Sequence, residues 1–211
     1  MDSTIISCEC IDEIAAILGI KAEIAEITEK AMRGELAFED SLVARVSRLA
    51  GARKQDLERV YAERVRLNPG AATLTATMRA HGAKSVLVSG GFTFFTERVA
   101  AAAGFDVHHA NRLAMDGDAL TGEVVAPILG RDAKREALLT HAAEIGADAR
   151  DAVAIGDGAN DVGMIEAAGL GVAYRAKPVL EGAAAGRIAT GDLRSALYFQ
   201  GITEDAFIER G

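Results

Sequence analysis

Ala152-Val153-Ala154-Ile155-Gly156-Asp157-Gly158-Ala159-Asn160-Asp161 is the stretch from which the rest of the chain can be read. Val153 and Ile155 in a short apolar run predict a buried strand, and the glycines after it predict an abrupt turn into a helix. Similar runs lie at Lys84–Val88, Phe105–Ala110 and Gly169–Ala173, with a weaker one at Arg187–Ala189. Helical stretches separate them, which predicts βαβ crossovers and a parallel sheet covered on both faces. Ligands of such sheets gather at the carboxyl ends of the strands. One segment breaks the alternation: Leu113–Met115, Asp116-Gly117-Asp118 and Leu120–Val125 read as a β-hairpin with an Asp-Gly turn, within 112–126.

Upstream the period changes. Ile11, Ile14, Ala15 and Leu18, then Ile24, Ile27, Thr28 and Ala31, then Phe38, Leu42, Val46 and Leu49, then Leu57, Val60 and Tyr61 recur at helical spacing, until Asn68-Pro69-Gly70 punctuates the series. The expected fold class is α/β, a doubly wound, Rossmann-like parallel sheet over 69–211 with a helical cap inserted at 11–68. Residues 1–10 then form the entry to that cap.

The chain has 211 residues, half of them hydrophobic and only 3 of them Pro, enough for a substantial core. With 23 basic and 31 acidic side chains the formal charge is −8, without a basic cluster, which argues against a nucleic-acid partner. No run approaches the ~18 apolar residues of a membrane span, so the expectation is no membrane partner and a cytoplasmic location. Cys8 and Cys10 are too close in sequence for an unstrained disulfide and lack companions for a metal site, so they read as reduced thiols.

Two strand ends carry candidate chemistry. Ser89-Gly90-Gly91 offers a hydroxyl and amides that an anion can approach closely, although the same tripeptide also serves as an ordinary turn. Asp157 and Asp161 put two carboxylates four residues apart, with Asn160 between them. A single Asp there would read as a helix cap; two favour a site for a hard divalent cation. Lys134, in the first turn of a helix, is by itself a solvated surface charge.

Several stretches in order carry a resemblance: Met1-Asp2-Ser3-Thr4, Glu9-Cys10-Ile11-Asp12-Glu13, Ala31-Met32-Arg33-Gly34, Ser41 through Val46, Leu87 through Phe92, Ala110 through Leu113, Leu120-Thr121-Gly122, Ala154 through Asp161 and Ala176-Lys177-Pro178. Over nearly its whole length the chain resembles the phosphoserine phosphatases of the haloacid dehalogenase superfamily. The resemblance implies hydrolysis of phosphoserine, the last step of serine biosynthesis, with Mg2+ as cofactor. It implies Asp2 as the acid–base catalyst, Ser89, Gly90 and Lys134 as the phosphate grip, and Asn160 near the substrate. Metal binding falls on Asp157, Asp161 and the Asp2 carbonyl. In the cap, Glu9 matches the acid facing the substrate ammonium and Arg45 the guanidinium facing its carboxylate, while Met32 and Phe38 match apolar positions closing over the site. A homo-oligomer is allowed by this reading but not required.

The family's loop is D-x-D-S-T, and Met1 stands at its x. The attacking aspartate and the first core strand are therefore expected upstream of Met1, and the 211 residues alone are expected to lack activity. A phosphoserine-binding remnant, or a phosphatase or phosphotransferase acting on another small phosphate ester, are the alternatives.

Overall fold

The helical spacing of the first third becomes four helices in the computed structural model, which describes residues 1–130 and 132–210: α1 (Cys10–Leu18), α2 (Lys21–Met32), α3 (Phe38–Ser47) and α4 (Lys54–Arg64). Their apolar faces turn inward, and Ile14, Ile24, Val46, Leu49 and Val60 are fully buried. Asp56 caps α4 by accepting the Arg53 amide at 2.8 Å. The two ends of this helical unit are pinned together. Asn68 Nδ2 donates to the carbonyls of Thr4 (2.8 Å) and Ile6 (3.2 Å), and Ile6 pairs with Leu67 in an antiparallel bridge. Asn68 thus acts as a polar clasp at 5 % exposure, where its amide would be costly without those partners.

The remainder alternates as expected. It runs α5 (Ala71–Ala80), β1 (Val86–Phe92), α6 (Thr93–Ala103), β2 (Val107–Asp116), β3 (Ala119–Val125), α7 (Ala133–Glu144), β4 (Val153–Gly156), α8 (Val162–Ala167), β5 (Leu170–Tyr174), α9 (Pro178–Glu181), β6 (Gly186–Ile188) and α10 (Ser195–Tyr198). β1 pairs with β2 in parallel, and β4, β5 and β6 are parallel in that order. The hairpin holds too, but its first strand is the far half of β2, which stays extended for ten residues and then pairs antiparallel with β3. The helical unit rests on this hairpin: Gly51 and Lys54 amides donate to the carbonyls of Leu120 and Asp118, and the Leu120 amide returns a bond to Ala52.

Two expectations change. Ser89-Gly90-Gly91 lies inside β1 rather than after it, because pairing with β2 resumes at Phe92 opposite Asn111 after a shift in register. The single sheet is instead two three-stranded ladders, β1-β2-β3 and β4-β5-β6. Between β1 and β4 lies a cleft of about 320 Å3, walled by Val86, Leu87 and Val88 on one side and Val153, Ala154 and Ile155 on the other. Met1, Lys134 and Asp161 also line it.

Candidate active site

Four segments meet at the carboxyl ends of β1 and β4: the first residues of the chain, the Ser89-Gly90-Gly91 stretch, the start of α7 and the turn after β4. In the turn, Asp161 is 2 % exposed and folds back on its own segment. Its Oδ2 accepts the amides of Asp157 (3.1 Å) and Gly158 (3.0 Å), and its Oδ1 accepts Lys134 Nζ at 2.5 Å. Burial raises the cost of its charge, but Lys134 and the Gly158 amide outweigh that and hold it below the usual carboxylate range. Asp161 was expected among the metal ligands. With both oxygens engaged, it instead acts as the bracket that fixes Lys134 and the Asp157 backbone.

Asp157 is placed differently. Thr4 Oγ1 donates to its Oδ1 at 2.5 Å, and among the described residues nothing hydrogen-bonds its Oδ2. Burial pushes its carboxyl above the usual range despite the Thr4 hydroxyl, so a nearby cation would favour its charged form. Asp2 accepts the Cys10 amide at Oδ1 (3.2 Å) and approaches the Ser89 hydroxyl at Oδ2 (3.5 Å). The buried Met1 amino group lies in the same cluster. Burial and then Lys134 lower its basicity, while Asp2, Asp161 and Asp157 oppose them. Among the described residues no three His, Cys, Asp or Glu side chains converge on one point as a metal cage. The Asp157 carboxylate is a hard oxygen donor of the kind that suits Mg2+.

The β1 stretch needs its glycines for close approach. A Cβ at Gly91 would stand 2.9 Å from Asp2 Oδ2, and one at Gly90 would stand 3.0 Å from the Phe38 ring. Ser89 is buried and its Oγ accepts the Gly91 amide at 3.0 Å. Phe38, Ser89, Gly90, Lys134 and Asn160 line one small recess, so the structure brings these five expected residues together. Met32 is the exception: at the end of α2 it is 71 % exposed and faces solvent rather than the recess.

Above the carboxylates, Glu9 accepts the Ser3 hydroxyl at 2.6 Å, and Ser3 takes a left-handed φ of 56° to make that turn. Burial, then the Asp2 carboxylate, push Glu9 above its usual range. Arg45 hydrogen-bonds the Ser41 carbonyl at 3.2 Å, and burial lowers its basicity against the fields of Asp12 and Glu9. An exposed acid and a half-buried guanidinium thus lie within each other's field, and both gain from a ligand that carries the complementary charges.

Sequence reasoning gave Thr4, Gly91 and Asn111 no separate role, although each stood in a motif. Asn111 is 1 % exposed, donates from Nδ2 to the Gly90 carbonyl (2.9 Å) and accepts the Leu129 amide (2.8 Å) at Oδ1. It ties the anion-binding stretch to the segment leading into α7. Asn111→Ala is expected to lower stability by about 1–3 kcal/mol, since two part-buried backbone groups lose their partners. Equilibrium urea unfolding of both proteins checks this; an unchanged midpoint would contradict it.

The family model described as haloacid dehalogenase-like hydrolase matches residues 1–166. A phosphoserine phosphatase from Polaromonas sp. is 48% identical over 183 residues, covering 84% of this chain and 78% of the relative. A phosphoserine phosphatase from Vibrio cholerae is 46% identical over 86% of this chain, which spans 55% of that longer relative. Among solved structures, a phospho-aspartyl intermediate analogue of phosphoserine phosphatase superposes with a TM-score of 0.88 at 38% identity, covering 96% of each chain. A HAD family hydrolase from Salmonella enterica serovar Typhi gives 0.89 at 36% identity, covering 94% of this chain and 68% of the other.

Proposed function

The chain belongs to the haloacid dehalogenase-like hydrolase family, and we propose that its site hydrolyses O-phospho-L-serine to serine and phosphate through an aspartyl-phosphate. The observation that carries this reading is the meeting of Ser89, Gly90, Lys134 and Asn160 in one recess, with Asp2, Asp157 and Lys134 close to the Met1 nitrogen. An aspartate joined to that nitrogen would enter the cluster beside the phosphate grip. Its carboxylate oxygen attacks phosphorus while the bond to the serine oxygen breaks. Asp2 gives its proton to the departing serine oxygen, then takes one from the water that cleaves the acyl phosphate.

Lys134, held by Asp161, and the Ser89 hydroxyl meet the charge on the transferring phosphoryl group. Asp157 and the Asp2 carbonyl would hold Mg2+, which when bound neutralises phosphoryl charge. Glu9 faces the substrate ammonium and Arg45 its carboxylate, which gives each of the three charged groups of phosphoserine its own partner.

In the chain carrying the upstream aspartate, Arg45→Ala and Glu9→Ala are expected to raise KM for phosphoserine roughly ten- to a hundredfold, the worth of a charged hydrogen bond of about 1.5–3 kcal/mol. KM for a simple aryl phosphate should change little, since it has neither group. Equal losses on both substrates would mean that the cap does not read the amino acid. Faster turnover of another small ester than of phosphoserine would move the substrate assignment to that ester.

A further inference from the structure

Away from the carboxylate cluster, β2 and the second half of α7 bring two imidazoles into contact. His109 Nε2 and His141 Nε2 are 2.7 Å apart, and the rings stack with centroids 5.0 Å apart and planes 27° from parallel. At its other nitrogen, Nδ1, His141 lies 2.7 Å from Glu144 Oε2 and 3.2 Å from Lys84 Nζ, and Lys84 Nζ itself donates to that carboxylate oxygen at 2.7 Å. With its hydrogen on Nδ1, His141 turns the Nε2 lone pair toward His109.

A carboxylate on the distal nitrogen of one ring, with two Nε2 atoms facing each other across a strand–helix junction, is the arrangement that orients imidazoles as ligands. We propose that His109 and His141 form a bidentate site for a first-row divalent transition metal of the Zn2+ type, oriented by Glu144 and completed by water. The site is separate from the carboxylates that would hold Mg2+. Two nitrogens on one tetrahedral ion at ~2.0–2.1 Å lie about 3.4 Å apart. The rings therefore part by well under 1 Å, and the hydrogen that His109 now donates from Nε2 moves to its own Nδ1, so both rings stay neutral. Burial, then His141 and His108, keep His109 below the usual imidazole range, which favours its neutral, metal-ligating form. Nitrogen ligands separate this site from the oxygen-only preference of Mg2+. Such an ion would tie β2 to α7, the helix whose first turn carries Lys134.

The test uses the 211-residue chain with excess Mg2+ present to cover the carboxylates. One equivalent of Cu2+ is expected to give an electron paramagnetic resonance spectrum with coupling to two nitrogens, and Zn2+ to raise the melting temperature. His109→Gln or His141→Gln should abolish both effects, and either variant suffices if the other fails to fold. Glu144→Gln should weaken Zn2+ binding about 10–100-fold through loss of the outer hydrogen bond while keeping two nitrogens on Cu2+. No nitrogen coupling in the parent chain, or an unchanged spectrum and Zn2+ shift in the folded histidine variants, would overturn the proposal.

Discussion

The 211-residue polypeptide is expected to hydrolyse phosphoserine at a rate roughly 10^4- to 10^6-fold below that of the same chain extended upstream through an aspartate joined to Met1, the usual scale for loss of a nucleophile. The carboxylates it does contain are committed elsewhere. Asp161 is bonded to Lys134 and two amides, Asp157 to Thr4, and Asp2 to the Cys10 amide and the Ser89 hydroxyl. Asp161 and Asp2 cannot become the attacking group without breaking those contacts, and Asp157 is the carboxylate proposed to hold Mg2+. Steady-state phosphate release from both proteins checks this. Comparable magnesium-dependent turnover by the shorter one, with contaminating phosphatase excluded, would contradict it.

The second large effect concerns stability. Val86–Val88 and Val153–Ile155 face a common cleft, and β1 and β4 are not paired with each other. Backbone N–H and C=O groups along those edges have no ladder partner there, and each such group shielded from water costs on the order of 1–3 kcal/mol. An apolar strand of about 8 residues, leading into the aspartate at Met1, can pair with both edges. Satisfying only part of them gives about 5 kcal/mol, which for a chain of this size raises the melting temperature by roughly 10–20 °C. Calorimetry of the two chains measures the difference. Equal melting temperatures would mean that the two ladders are stable apart and that the cleft does not accept a strand.

Much of the architecture was legible because its causes are local. β-branched runs bounded by glycine marked β4 and β5, and 3.6-residue spacing marked α1 through α4. The Asp-Gly turn marked the hairpin. The continuity of β2 through Ala110 to Asp116 was not legible, since its polar residues face neighbours that only the folded chain supplies. Nor was the extension of β1 through two glycines, which holds because Asn111 grips the Gly90 carbonyl from the next strand. At the site, the family resemblance implied a common place for Ser89, Gly90, Lys134 and Asn160, and all four line one recess. The resemblance implied Asp157 as the magnesium carboxylate with Asp161 supporting the site, but only the hydrogen bonds show that Asp161 serves Lys134 and Asp157 does not. Met32 was misplaced over the site because a methionine at helical spacing carries no information about which way the end of a helix faces.

The most direct test is to trap the intermediate. A chain extended by an aspartate joined to Met1 is mixed with phosphoserine and Mg2+, quenched in acid, and its peptides are analysed by mass for one added phosphoryl group. The expected result is a hydroxylamine-sensitive phosphoryl group on the aspartate joined to Met1, absent when that residue is asparagine. Full turnover with no label there, or label on Asp2, Asp157 or Asp161, would contradict the account.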